Sequence, residues 1–174
     1  VLMKFSGHIE ARKGLSPEIV LKKLGEEVLS DMQAQDSISM FYALVDRRNF
    51  EVRYSSMGKT LCFHKIYGED NLVQIEGIGT SLAKGTEIQP LMDRFQLNPR
   101  DRLIICSSGV SQAKGAQPEE FGRERIMEII QNFSGAGVHE LRNEILFQVE
   151  NYAQTREPDR DQTVIVAEVK DRLI

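Results

Sequence analysis

Asp101-Arg102-Leu103-Ile104-Ile105-Cys106-Ser107-Ser108-Gly109-Val110-Ser111-Gln112-Ala113-Lys114-Gly115-Ala116-Gln117-Pro118-Glu119-Glu120-Phe121-Gly122-Arg123-Glu124-Arg125 runs from strand through turn to helix within 25 residues. It opens on the apolar run Leu103-Ile104-Ile105, which has the length and β-branched content of a buried strand, placed over 102–106. Ser107-Ser108-Gly109 breaks that run as a turn. Glu119-Glu120-Phe121-Gly122 reads as a helix start, and Ile126, Ile129, Ile130 and Phe133 follow at helical spacing. A helix over 119–133 is the expectation.

Toward the C-terminus, Gly135-Ala136-Gly137 ends this helix, and a second spans 138–152 with Leu141, Ile145, Leu146 and Val149 facing inward. The polar stretch Asp159-Arg160-Asp161-Gln162 then leads into a closing β-branched strand over 163–169. Toward the N-terminus, residues 2–12 read as helical, with Gly7 the weak point. Ser16 is placed as an N-cap, Pro17 at the first helical position and Glu18 on the positive end of the dipole. That helix runs to Met32. Strands follow at 38–45, 50–55, 61–67 and 72–75, with turns at 46–49 and 68–71. Residues 77–94, rich in glycine and without periodicity, read as a loop or flap. This order does not alternate strand and helix regularly. It suits antiparallel sheets covered by helices, an α+β layered fold.

The chain has 174 residues, 41% hydrophobic and 28% charged, with a net charge of −4, the balance of one globular domain. Basic and acidic residues are interspersed, so no nucleic-acid surface is expected. Lys22-Lys23 and Arg47-Arg48 read as solvated faces. Cys62 and Cys106 sit in apolar runs, as buried free thiols of a reducing compartment do. They share no zinc-type spacing with His8, His64 and His139. No apolar run approaches the roughly 20 residues of a membrane span. The chain opens on Val1 rather than Met and is expected to be a piece of a longer protein.

Several ordered anchors resemble the SpoIIE/RsbU-type metal-dependent serine/threonine phosphatases, a type 2C-like family. They are Gly14-Leu15-Ser16-Pro17 with its helix, Ser39 to Asp46, Arg53 to Lys59, Asn98 to Leu103, Glu119 to Arg125, and Asp161-Gln162-Thr163-Val164-Ile165-Val166. The resemblance covers nearly the whole chain. It implies an αββα sandwich of two antiparallel sheets flanked by helices, here without the family's first strands. Residues 1–174 would form a single phosphatase-type domain, corresponding to the C-terminal two-thirds or more of the family's. In the family, carboxylates hold paired manganese or magnesium ions that activate a water against the phosphoryl group.

Those carboxylates are missing where the resemblance would put them. Ser108 stands at the Asp of the Asp-Gly step, and Arg160 at the first Asp of the closing strand's pair. The family's two early acidic motifs do not occur, and Ser6-Gly7-His8, which looks like part of one, is read as helix interior. A guanidinium ~4 Å from a divalent ion at an effective dielectric of ~20 repels it by several kcal/mol. Asp161 and Asp159 remain as candidate metal ligands; the plainer reading of Asp161 is a turn carboxylate that pairs with Arg160 or caps the strand. Ser107 and Ser108 lack a patterned base and orienter and are not read as nucleophiles. His64 and His139 are read as structural or exposed, Lys59 as an exposed hairpin lysine, and Gly77 to Gly79 as too short for a phosphate loop. The flap residues Lys84, Gly85, Met92 and Arg94 are a candidate partner or regulatory surface.

The expectation is therefore a degenerate, catalytically impaired SpoIIE-type domain that acts by protein–protein interaction in bacterial signalling. No cofactor is expected in this chain, and manganese or magnesium if it is active. The resemblance implies an anti-anti-sigma-like protein partner, a homodimer by analogy, no nucleic acid, no membrane insertion, and a cytoplasmic setting. The alternative is an active manganese- or magnesium-dependent phosphatase whose metal ligands precede Val1. A small-molecule-binding α+β domain is the remaining class.

Overall fold

Periodicity and turn chemistry in the sequence resolve into two main antiparallel sheets, of three and four strands, with a separate two-stranded pair and helices, in a computed structural model that describes residues 14–33, 37–77, 82–85, 87–116, 119–154 and 157–170. The expected helix at 2–12, with Ser6-Gly7-His8, lies outside the described residues. The chain divides into two units, residues 1–60 with 77–96 and residues 61–76 with 97–174. The α+β class with two antiparallel sheets is the one expected.

In the first unit, helix α1 (Pro17–Asp31) starts at Pro17, whose fixed φ suits the first turn. Ser16 sits at the N-cap position but makes no capping bond through its side chain; its hydroxyl donates to Glu18 Oε1 at 2.6 Å. Val20, Leu21 and Leu24 form one apolar face, buried with Met40, Met57, Leu82 and Ile88. Each such leucine contributes on the order of 1.5–3 kcal/mol.

The strand expected over 38–45 is two strands. Strand β1 (Ser37–Ile38) pairs with β6 (Leu82–Ala83), whereas β2 (Met40–Val45) pairs with β3 (Glu51–Met57), which in turn pairs with β7 (Asp93–Gln96). The break falls at Ser39, whose hydroxyl accepts from the Lys59 amide at 3.0 Å. Gly58, at φ +83°, presses so closely on Ser39 that a Cβ there would overlap it. The flap is likewise not all loop, since it contains β6 and the start of β7. Two-residue strands carry no period to read, and their partners lie far away in sequence.

In the second unit, β5 (Leu72–Ile75), β4 (Leu61–Lys65), β8 (Arg102–Cys106) and β9 (Val164–Glu168) form one antiparallel sheet in that order. The register Phe63–Ile104–Val166 and Leu61–Cys106–Val164 puts six side chains on one face. Against them pack Ile126 and Ile130 of α3 (Gly122–Asn132) and Leu141, Ile145 and Val149 of α4 (Val138–Ala153). Helix α3 begins three residues later than expected. The backbone at Glu120 bridges to Lys114, and the Phe121 amide donates to the Ala113 carbonyl at 2.8 Å, so both are committed elsewhere. Ser107-Ser108-Gly109 is not a plain turn either: Ser107 stands at the N-cap position of the one-turn helix α2 (Ser108–Ser111), without a side-chain capping bond. Cys62 and Cys106 are free and buried, and burial pushes both thiols up to about 12.

Candidate functional site

Strand β8 ends at the point where the chain returns to enter β9, and Ser107 ties the two together. Its amide donates to the Thr163 carbonyl at 2.9 Å, its hydroxyl donates to the Asp161 carbonyl at 3.1 Å, and that same hydroxyl accepts from the Thr163 amide at 3.0 Å. One serine thus satisfies two acceptors and a donor of a segment more than 50 residues away. Ser108 follows, half-buried, with its carbonyl accepting from the Gln112 amide at 2.9 Å. Gly109 is buried so closely against the Arg160–Asp161 backbone that a Cβ would overlap the Asp161 carbonyl oxygen. The structure therefore brings the Ser108–Gly109 step against the Arg160–Asp161 backbone.

Beside it lies a cavity of about 100 Å3, lined among others by Gln112, Lys114, Glu120, Glu157, Asp159 and Arg160. Nothing in the sequence pointed to Gln112, Lys114, Glu120 or Glu157; tertiary packing alone assembles them. Two cations face three carboxylates here, and the buried Oε1 of Gln112 has no hydrogen-bond partner among the described residues. Asp159, Arg160 and Asp161 are exposed. The expected pairing of Asp161 with Arg160 does not form: neither makes an ion pair among the described residues. Among those residues, no group of three or more His, Cys, Asp or Glu side chains gathers as metal ligands would. What the β8–β9 junction offers is the Ser108 hydroxyl beside the already committed one of Ser107, one guanidinium and two flanking carboxylates.

His64 is structural, as expected, and buried with Asp101: Nε2 lies 2.8 Å from Asp101 Oδ2. Asp101 also accepts from the Tyr67 amide at 2.8 Å and the Asn98 amide at 2.9 Å. Burial pushes its carboxyl upward, but the two amides and His64 together outweigh that and hold it below the usual carboxylate range. This pair sits at the start of β8, so it is no base for Ser107 or Ser108 at the far end. His139 is exposed near the start of α4. The flap candidates belong to the first unit: Lys84 and Gly85 form the exposed turn after β6, Met92 is 43% exposed just before β7, and Arg94 lies in β7. Arg94 reaches Glu51 at 3.8 Å on the neighbouring strand.

A family model described as Stage II sporulation protein E (SpoIIE) matches residues 3–170 of the chain. No curated protein matches it. Among solved structures, the phosphatase domain of the cell fate determinant SpoIIE from Bacillus subtilis shares 16% identity and a TM-score of 0.62, over 98% of this chain and 73% of that one. A second structure of that domain comes from manganese-presoaked material. The SiaA-PP2C domain of Pseudomonas aeruginosa shares 18% identity and a TM-score of 0.72, over 98% of this chain and 69% of its own. The RsbU and RsbW domains of a Mycobacterium tuberculosis protein share 13% and 0.75, over 97% and 47%. At such identities the likeness is one of fold.

Proposed function

The chain belongs to the Stage II sporulation protein E (SpoIIE) family, and we propose that it is a catalytically impaired member whose scaffold works by binding a protein partner. The observation that carries this reading is the pair Ser108 and Arg160 at the β8–β9 junction, packed together through Gly109. A hard divalent ion needs several anionic oxygens. Ser108 supplies a neutral hydroxyl there, and Arg160 a fixed positive charge. Asp159 and Asp161 flank that charge in an exposed loop, where water competes for them. These residues do not fit a manganese or magnesium pair.

The whole chain is taken as one phosphatase-type domain in bacterial cytoplasmic signalling. Its partner would be an anti-anti-sigma-like protein or a second copy of the chain. The exposed flap residues Lys84, Gly85, Met92 and Arg94 offer a contact surface of mixed apolar and cationic character. A second reading, an active manganese- or magnesium-dependent serine/threonine phosphatase, rests on Asp159 and Asp161 still standing beside the junction.

Turnover separates the two. The intact chain is incubated with manganese and either a phosphoserine protein or an aryl phosphate, beside the Ser108→Asp/Arg160→Asp variant. The expected outcome is no chelator-sensitive hydrolysis and no manganese heat in calorimetry for the unmodified chain, with manganese uptake appearing in the variant. Hydrolysis by the unmodified chain that chelator abolishes would overturn the impaired reading.

A further inference from the structure

At the opposite end of β8, roughly 17 Å from Ser107 along the strand, the chain makes a tight turn at Asn98-Pro99-Arg100-Asp101. The Asp101 amide donates to the Asn98 carbonyl at 3.1 Å, with Pro99 at the second position and Arg100 at the third with φ +70°. That third position belongs to the left-handed region, where glycine is favoured and a long side chain is strained. An arginine held there places its guanidinium 3.8 Å from the centroid of the Tyr67 ring, itself 53% exposed. Among the described residues the Arg100 guanidinium makes no ion pair or side-chain hydrogen bond, so its donors remain open.

Arg100 and Tyr67 line a cavity of about 340 Å3 together with Lys65, Arg102 and Glu168. Arg102 is satisfied within the protein, by Glu168 at 2.8 Å and by the Ala136 carbonyl. Lys65 gives one of its three protons to the Glu69 carbonyl at 2.7 Å and keeps two. With the Arg102–Glu168 pair neutral, the cavity carries the two remaining charges of Lys65 and Arg100, on a chain whose net charge is −4. Its volume falls within the range of small-molecule sites.

We propose that this cavity binds a small phosphoryl-bearing ligand, with Arg100 and Lys65 contacting the phosphoryl oxygens. A guanidinium fork and an ammonium converging on one anion suit a tetrahedral group with several acceptor oxygens. Tyr67 fixes the Arg100 plane in advance, which lowers the entropy lost on binding.

Calorimetry on the intact chain with inorganic phosphate, adenosine monophosphate and adenosine tests this. Phosphate and the nucleotide are expected to bind with Kd on the order of 1 mM, weakening with added salt, and adenosine not to bind. Tighter binding of the nucleotide than of phosphate would place an organic phosphate in the site, and equal binding free phosphate. Arg100→Gly and Lys65→Gln are each expected to weaken binding about tenfold. Arg100→Gly suits the left-handed backbone and is expected to keep the thermal midpoint of the parent. Absence of binding, binding of adenosine equal to the nucleotide, or binding undiminished in both variants would overturn the assignment. So would a purely structural signature, with stability lost and affinity kept in Arg100→Gly.

Discussion

Gly109 shows how much of the β8–β9 junction depends on one missing methyl group. Read locally, it is the third residue of a Ser-Ser-Gly break, one of many glycines that end strands. In the fold it is the point where α2 meets the returning chain, and a Cβ there would overlap the carbonyl oxygen of Asp161. That carbonyl is already held by the Ser107 hydroxyl, so it has little room to move. Gly109→Ala is therefore expected to destabilise the protein by about 2–4 kcal/mol, measured by urea denaturation. A loss well under 1 kcal/mol would mean that the 159–163 segment shifts freely and that the junction is loose. Ser108 and Arg160 were visible in the sequence because the neighbouring anchors fixed their alignment. The constraint on Gly109 was not, because it arises from backbone 52 residues away.

Helix α3 and the segment before it keep the Glu-Glu-Phe-Gly pattern for reasons of packing. Phe121 is buried and meets the Tyr152 ring of α4 edge-on, with centroids 5.4 Å apart. Arg125 lies 4.9 Å over the same tyrosine and donates to the Phe121 carbonyl at 2.7 Å and the Glu120 carbonyl at 3.1 Å. The Tyr152 hydroxyl closes the knot on the Glu119 carbonyl at 2.8 Å. Three contacts through Tyr152 thus lock the helix start to α4, two more from Arg125 brace the helix start itself, and none of the five needs a metal. Phe121→Ala is expected to cost about 3–5 kcal/mol of stability. Circular dichroism should report a lowered thermal midpoint with near-native helix content below it, and an unchanged midpoint would sink this account. The helices themselves were legible from their period. The start of α3 was not, since the bridge at Glu120 and the amide bond at Phe121 remove three residues that look helical in isolation.

Across the whole molecule, acid stability is expected to follow Asp101. Its folded-state carboxyl lies below the usual value, because its hydrogen bonds outweigh burial. A carboxyl lowered on folding contributes stability above its unfolded value, near pH 4, and loses it as pH falls through the folded value. Unfolding free energy followed from about pH 5 to pH 2 should fall less steeply in Asp101→Asn than in the parent. Parallel curves would show that Asp101 does not carry the acid limb. Fold class, the order of most elements, the buried thiols and the family were all set out by the sequence alone. Each rests on short-range patterning: apolar period, turn residues, and a few anchors in fixed order. The split at Ser39, the strands hidden in the flap, the Asp101–His64 pair and the Lys65–Arg100 cavity were decided only by tertiary structure. Each joins residues tens of positions apart, and no local periodicity records which distant groups the closed chain will place within hydrogen-bonding reach.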